Sequence, residues 1–210
     1  MSFRIKAIPL PEKGITALVI ANPRVGLQEK PSDSITRFVN FIINSRTKFG
    51  ANIVIFLGEI VNQKLPQHST ILNAIIQRIA VLPLNFYIIN SPDINDFKTL
   101  NYLSRKFILC NETCIQISNR IGRVLISLNF GQPLETSEME EIKLVKKIKA
   151  KFVPEDDTRT WALFGGTKTS IFVRELKVAS VGECSIDKSP RSFGVVRIDE
   201  NFSFEMKCVI

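Results

Sequence analysis

Residues 16–24 read TALVIANPR, and this stretch decides the fold. Thr16 to Ala21 contains no charge, and Thr16, Val19 and Ile20 are β-branched, which reads as a strand. Asn22-Pro23 then ends it, because proline has no N–H for a ladder. A strand apolar at nearly every position belongs to a sheet covered on both faces. Two more segments repeat the pattern: Ile53–Leu57 (IVIFL) ending at Gly58-Glu59, and residues 84–89 (LNFYII) running into Asn90-Ser91-Pro92-Asp93. Helical periodicity fills the intervals. Ile35, Phe38, Ile42 and Ile43 form one stripe, with Ser32 or Ser34 as the expected cap and Gly50 as the stop. In residues 69–81 the inward positions are Ile71, Leu72, Ile75, Ile76 and Ile79. Strand, loop and helix in alternation predict a parallel sheet.

The pattern changes after residue 105. Residues 113–118 and Arg123–Leu128 flank the turn-rich Asn119-Arg120-Ile121-Gly122, a hairpin signal. Ser137-Glu138-Met139-Glu140 is a capping box that opens a predicted helix to about residue 151, lysine-rich toward its end. Residues 161–164 read as a strand entering a small-residue loop, 165–169. Strands near 170–174, 176–181 and 192–209 follow, the last folded over Asp199-Glu200-Asn201. The expectation is one α/β domain over 1–210, with βαβ units in the first half and antiparallel strands in the second.

Composition narrows the function. The 210 residues are 45% hydrophobic, enough for a substantial core. No apolar run reaches the length of a membrane span, and residues 1–10 lack a signal peptide's layout, so a cytoplasmic protein without membrane contact is expected. The four cysteines, Cys110, Cys114, Cys184 and Cys208, form no Cys-x-x-Cys pair and read as small hydrophobes of a reduced protein. His68 is the only histidine, so no site in one chain can use two imidazoles. The net charge is +8. Residues 1–105 carry 12 basic and 6 acidic side chains and residues 106–210 carry 16 and 14, so the excess is diffuse. It allows a nucleic-acid contact without identifying one.

In a doubly wound sheet, chemistry sits at the carboxyl ends of the strands. The segments there are LVIANPRVGL, IVIFLGEI, FYIINSPD, VLISLNFG and WALFGGTKTSIF. In order and spacing they resemble the five motifs of the calcineurin-like metallophosphoesterases, nearest to small archaeal members, over about residues 14–207. The resemblance implies a two-sheet α/β/β/α sandwich. It also implies a pair of divalent cations held by Asp, His and Asn side chains, but those residues are degraded here. Asn22 stands for the first Asp, Arg24 for the first His, and Glu59 for the bridging Asp. In the third motif either Asn90 matches the ligand Asn or Asp93 the closing acid, with Ser91 or Pro92 in place of the His. Asn129 replaces a lone His, and Gly166, Thr167 and Thr169 occupy the last motif without its histidines.

Charge decides what such a cluster can hold. Glu59 and Asp93 are set against Arg24 and Lys168, and neither guanidinium nor ammonium has a lone pair to give a metal. The expected state is therefore a family fold without the family's metals and without a cofactor, with Arg24 paired to Glu59 and Asp93 as a second candidate partner. Manganese or another divalent cation on Glu59, Asn90 or Asp93, and Asn129 is the enzymatic alternative. Precedents for loss of catalysis on this fold are the retromer's phosphoesterase-like subunit and the small subunits of replicative DNA polymerases. They point to a pseudo-phosphoesterase acting through a protein partner, with an exposed apolar patch. Two other readings fail on the residues. Gly165-Gly166-Thr167-Lys168-Thr169 lacks both Walker A glycines, having Thr167 and Ala162 at those positions. His68 lies at a helix start in none of the five loops, so no Ser or Cys nucleophile finds an imidazole there.

Overall fold

The computed structural model describes residues 5–26, 30–89, 106–110, 114–128, 143, 150, 159–167, 170–175, 177–182, 184 and 193–209. They include two six-stranded sheets and the helices α1 and α2. In chain order the elements are β1 (Ile5–Pro9), β2 (Ile15–Ala21), α1 (Pro31–Phe49), β3 (Ile53–Leu57), α2 (His68–Ile79), β4 (Asn85–Ile89), β5 (Phe107–Cys110) and β6 (Cys114–Ser118). They continue with β7 (Arg123–Leu128), β8 (Thr160–Thr167), β9 (Ile171–Val173), β10 (Val178–Gly182), β11 (Phe193–Ile198) and β12 (Phe204–Val209). One sheet runs β12-β11-β2-β3-β4-β5, the other β1-β6-β7-β8-β10-β9.

Alternation along β2 divides the core between two layers. Leu18 and Ile20 pack with Ile35, Phe38 and Ile42 of α1 and Ile71, Leu72 and Ile75 of α2. Ile15, Ala17, Val19 and Ala21 face the second sheet, joining Ile115, Ile117, Val124, Ile126, Trp161 and Leu163. That is why TALVIA is apolar at successive positions: one face carries helices and the other carries a sheet. β2, β3, β4 and β5 are mutually parallel, with Ala21 level with Leu57 and Leu57 level with Ile89. The loops after these strands therefore emerge side by side.

Several expectations are corrected. The second half is mixed, not antiparallel: β6–β7, β9–β10 and β11–β12 are antiparallel, whereas β7–β8, β8–β10 and β1–β6 are parallel. Tight turns imposed the antiparallel pairs, and the longer crossovers to β8 and β10 allow parallel ones. Helix α1 begins at Pro31 with Lys30 before it and no side-chain cap. Ser34, one of the expected caps, is instead fully buried on the helix face. Gly50 does close α1, in the left-handed conformation at φ 67°. The expected loop at 165–169 is strand as far as Thr167. Residues 129–142 and most of the predicted 137–151 helix lie outside the described residues, although Lys143 and Ala150 are helical. No helix among the described residues is long and apolar enough to cross a membrane.

Candidate functional site

The chain leaves β2 through an unusual turn. Asn22 and Arg24 both have positive φ, 45° and 44°, with a buried Pro23 between them. Asparagine tolerates this conformation because its short side chain hydrogen-bonds locally, whereas arginine has no such relief. Two strained residues around one proline need surrounding structure to hold them. Neighbouring β3 supplies it. The Asn22 N–H donates to the Leu57 carbonyl at 2.8 Å, and the Glu59 N–H donates to Asn22 Oδ1 at 3.0 Å. Beyond them the Arg24 N–H reaches the Glu59 carbonyl at 3.3 Å, the Val25 N–H reaches the Ile60 carbonyl at 2.9 Å, and Val25 bridges Val61 in parallel. Gly58, at φ 82°, donates its N–H to the Ile89 carbonyl and ties the turn to β4.

This backbone brings Arg24 against Glu59. Arg24 Nε donates to Glu59 Oε2 at 2.9 Å, with side chains 35% and 22% exposed. Glu59 Oε1 accepts the Gln63 N–H at 2.8 Å. Each carboxylate oxygen thus holds a donor, and the carbonyl oxygen of Asn22's amide is taken by Glu59's own backbone. The expected pairing of Arg24 with Glu59 is present. Two other elements converge on the same end. Gly165 of β8 lies so close to Leu57 and Ala21 that a Cβ there would sit 2.4 Å from Leu57 Cδ1 and 3.1 Å from Ala21 Cβ. The Cys184 N–H donates to the Ala21 carbonyl at 2.7 Å. Neither contact was readable as a site feature, since Gly165 reads as a turn residue and Cys184 as core.

Asn22, Arg24 and Glu59 are therefore brought together, and the backbone of Gly166 and Thr167 continues β8 from Gly165. Asn90, Asp93, Asn129 and Thr169 lie outside the described residues. His68 opens α2 with its N–H on the Leu65 carbonyl. No group of three or more His, Cys, Asp or Glu that could hold a metal occurs among the described residues. Among the described residues, the donors do not by themselves make a dimetal centre. Glu59 is the one carboxylate among the described site residues, both its oxygens are engaged, and a dication there would meet a guanidinium 2.9 Å from Oε2.

No known protein family and no curated protein matches the chain. Among solved structures, a Thermotoga maritima protein determined by NMR is similar at 15% identity, covering 93% of this chain and 99% of that one with a TM-score of 0.39. A protein of unknown function from Aquifex aeolicus is similar at 12% identity over 80% of this chain and 88% of that one, with a TM-score of 0.45. Likeness at this level carries no inference about chemistry. The site has to be argued from its own residues.

Its energetics are modest and measurable. A part-buried, charge-assisted pair is expected to show a coupling of about 1 kcal/mol in a double-mutant cycle of Arg24→Ala and Glu59→Ala. Urea unfolding at low and high salt reads it, and the coupling should shrink as salt screens the pair. A coupling indistinguishable from zero at low salt would mean that the contact does not order the loops. One buried cysteine, Cys114, is chemically quiet by comparison. Burial pushes the Cys114 thiol from 9.0 up to about 12, which leaves it protonated and unreactive at neutral pH.

Proposed function

We propose that this chain is a metallophosphoesterase-like protein that has given up metal catalysis and works as an interaction or scaffold subunit. The observation that carries the reading is the Arg24–Glu59 pair at the ends of β2 and β3, where the resemblance expects metal ligands. A fixed guanidinium there neutralises the carboxylate and holds the loop turn without a cation. Two facing six-stranded sheets with helices on one of them are compatible with the sandwich that the resemblance implies. Cys110, Cys114 and Cys184 are buried and in no disulfide, in keeping with the reducing, cytoplasmic setting of this reading.

The partner is a protein in this reading. Among the described residues no single apolar patch marks its docking surface: the exposed large hydrophobic residues there are Val81 after α2, Ile121 in the β6–β7 turn and Phe172 on β9. Turnover tests the loss of catalysis. Purified protein with manganese is expected to give no hydrolysis of generic phosphomonoesters or diesters above buffer. Manganese-dependent turnover that Glu59→Ala abolishes would instead establish an enzyme using Glu59 with Asn90 or Asp93, and Asn129. Co-purification from the native source identifies the partner, and recovery of the chain alone would count against a scaffold.

A further inference from the structure

The sheet that carries the helices ends at β12, whose hydrogen-bonded neighbour among the described strands is β11 alone. Which backbone groups of β12 face outward follows from the pairing further in. Thr16 donates its N–H to Asn52 Oδ1 and accepts the Asn52 N–H on its carbonyl, so Thr16 turns toward β3, and Ile15, Ala17 and Val19 turn toward β11. Their partners on β11 are Ile198, Val196 and Gly194. That leaves Arg197, Val195 and Phe193 to bond β12, through Glu205, Lys207 and Val209. The Asp199 N–H on the Ser203 carbonyl fixes the same alternation from the turn. The N–H and C=O groups of Phe204, Met206 and Cys208 therefore point away from the sheet, and among the described residues they meet no partner.

A bare edge of this kind accepts another strand, and a lysine commonly blunts it. Lys207 is such a residue, but Glu205 stands two positions before it on the same face, and both are exposed. Arg197 lies level with Glu205 on β11, yet its guanidinium donates to the Phe49 carbonyl at 3.4 Å. Glu205 forms no ion pair among the described residues. The flank is open as well. A cleft of about 350 Å³ runs beside the strand, with Phe49, Phe172, Met206 and Lys207 in its lining. Phe172 of β9, stacked at 6.5 Å on Phe204, is 37% exposed there.

We propose that β12 pairs antiparallel with β12 of a second copy of this chain, centred on Met206. The alternation lets outward residues pair only with outward residues. With the centre at Met206, Phe204 bonds Cys208 of the second copy, and Glu205 stands directly opposite its Lys207, twice over by symmetry. Those non-hydrogen-bonded positions bring side chains closest, so opposite charges there stabilise the pair and like charges oppose it. Moving the centre by one residue sets Glu205 against Glu205 or Lys207 against Lys207. The order Glu-Met-Lys thus selects one register and one occupant, because the lysine that discourages a foreign strand is complemented by the chain's own glutamate. The six-stranded sheets of the two copies become continuous, with both Phe172 rings beside the seam. This goes beyond the scaffold reading and holds whether or not catalysis has been lost.

Sedimentation velocity of the full chain over a concentration series tests it, with amide hydrogen exchange on the same samples. A concentration-dependent dimer is expected, weakened at least roughly tenfold by Glu205→Lys or by Lys207→Glu and recovered when the two are combined. Both side chains are exposed, so the single variants should keep the monomer's melting curve. The Met206 and Cys208 amides should gain protection as the dimer forms. A monomer at every concentration would overturn the proposal. A dimer indifferent to both charge reversals, not recovered by the exchange of charges, or formed without protection of those amides would place the contact elsewhere and overturn it equally.

Discussion

Gly165→Val is expected to destabilise the protein by about 3 kcal/mol, the upper range for overpacking a well-filled core. At Gly165 the two sheets are in close contact at the carboxyl ends of β2, β3 and β8. A Cβ would lie 2.4 Å from Leu57 Cδ1 and 3.0 Å from Leu57 Cβ, and the latter atom is fixed to the β3 backbone. Leu57 is fully buried and cannot swing outward, so the sheets must separate or β8 must shift. Ala21 immediately precedes Asn22 and Leu57 lies two residues before Glu59, so such a shift would disturb the Arg24 turn as well. Urea unfolding of the single variant, of Leu57→Ala and of the pair provides the check. The pair should be clearly more stable than the sum of the single losses, because removing the leucine side chain makes room for the valine. A loss below about 0.5 kcal/mol in Gly165→Val would mean that the sheets are not in contact there.

Phe56→Ala is expected to cost about 4 kcal/mol, in the range for deleting a buried phenylalanine. Phe56 is 1% exposed on the helix-facing side of β3, with Phe38 of α1 at 5.9 Å and Phe86 of β4 at 6.2 Å between ring centroids. Phe86 stacks in turn on Phe107 of β5 at 4.9 Å. This aromatic row crosses three adjacent parallel strands, so a cavity at its centre has few atoms able to close it. Phe56→Leu should recover more than half of the loss. Thermal and urea unfolding measure both variants, and a cost below about 1 kcal/mol for the alanine would contradict the packing described.

How much of this was legible in the chain depends on whether local residues or distant ones did the work. The run TALVIA could be read because both its faces are buried in the finished fold, so each residue reports its own environment. The β6–β7 and β11–β12 pairings were legible from turn residues, Asn119-Arg120-Ile121-Gly122 and Asp199-Glu200-Asn201. Strands β1 and β5 were not, since each is short and takes its partner, β6 or β4, from elsewhere in the chain. The parallel pairing of β7 with β8 escaped for the same reason. Gly165 was misread as the start of a loop because a glycine forced by contact between sheets resembles, in sequence, a glycine required by a turn.

The pairing of Arg24 with Glu59 was legible once β2 and β3 were taken as adjacent parallel strands, because their loops must leave side by side. The left-handed backbone at Asn22 and Arg24 carries no such signal in the residue types.

In the proposed reading Arg24 stands where the resemblance expects a metal ligand, and manganese titration probes that position without relying on turnover. Electron paramagnetic resonance of free manganese, followed as protein is added, counts bound ions without requiring activity. No stoichiometric binding is expected at micromolar manganese, in wild type or in Glu59→Ala. One or two equivalents bound by wild type and lost in Glu59→Ala would contradict it.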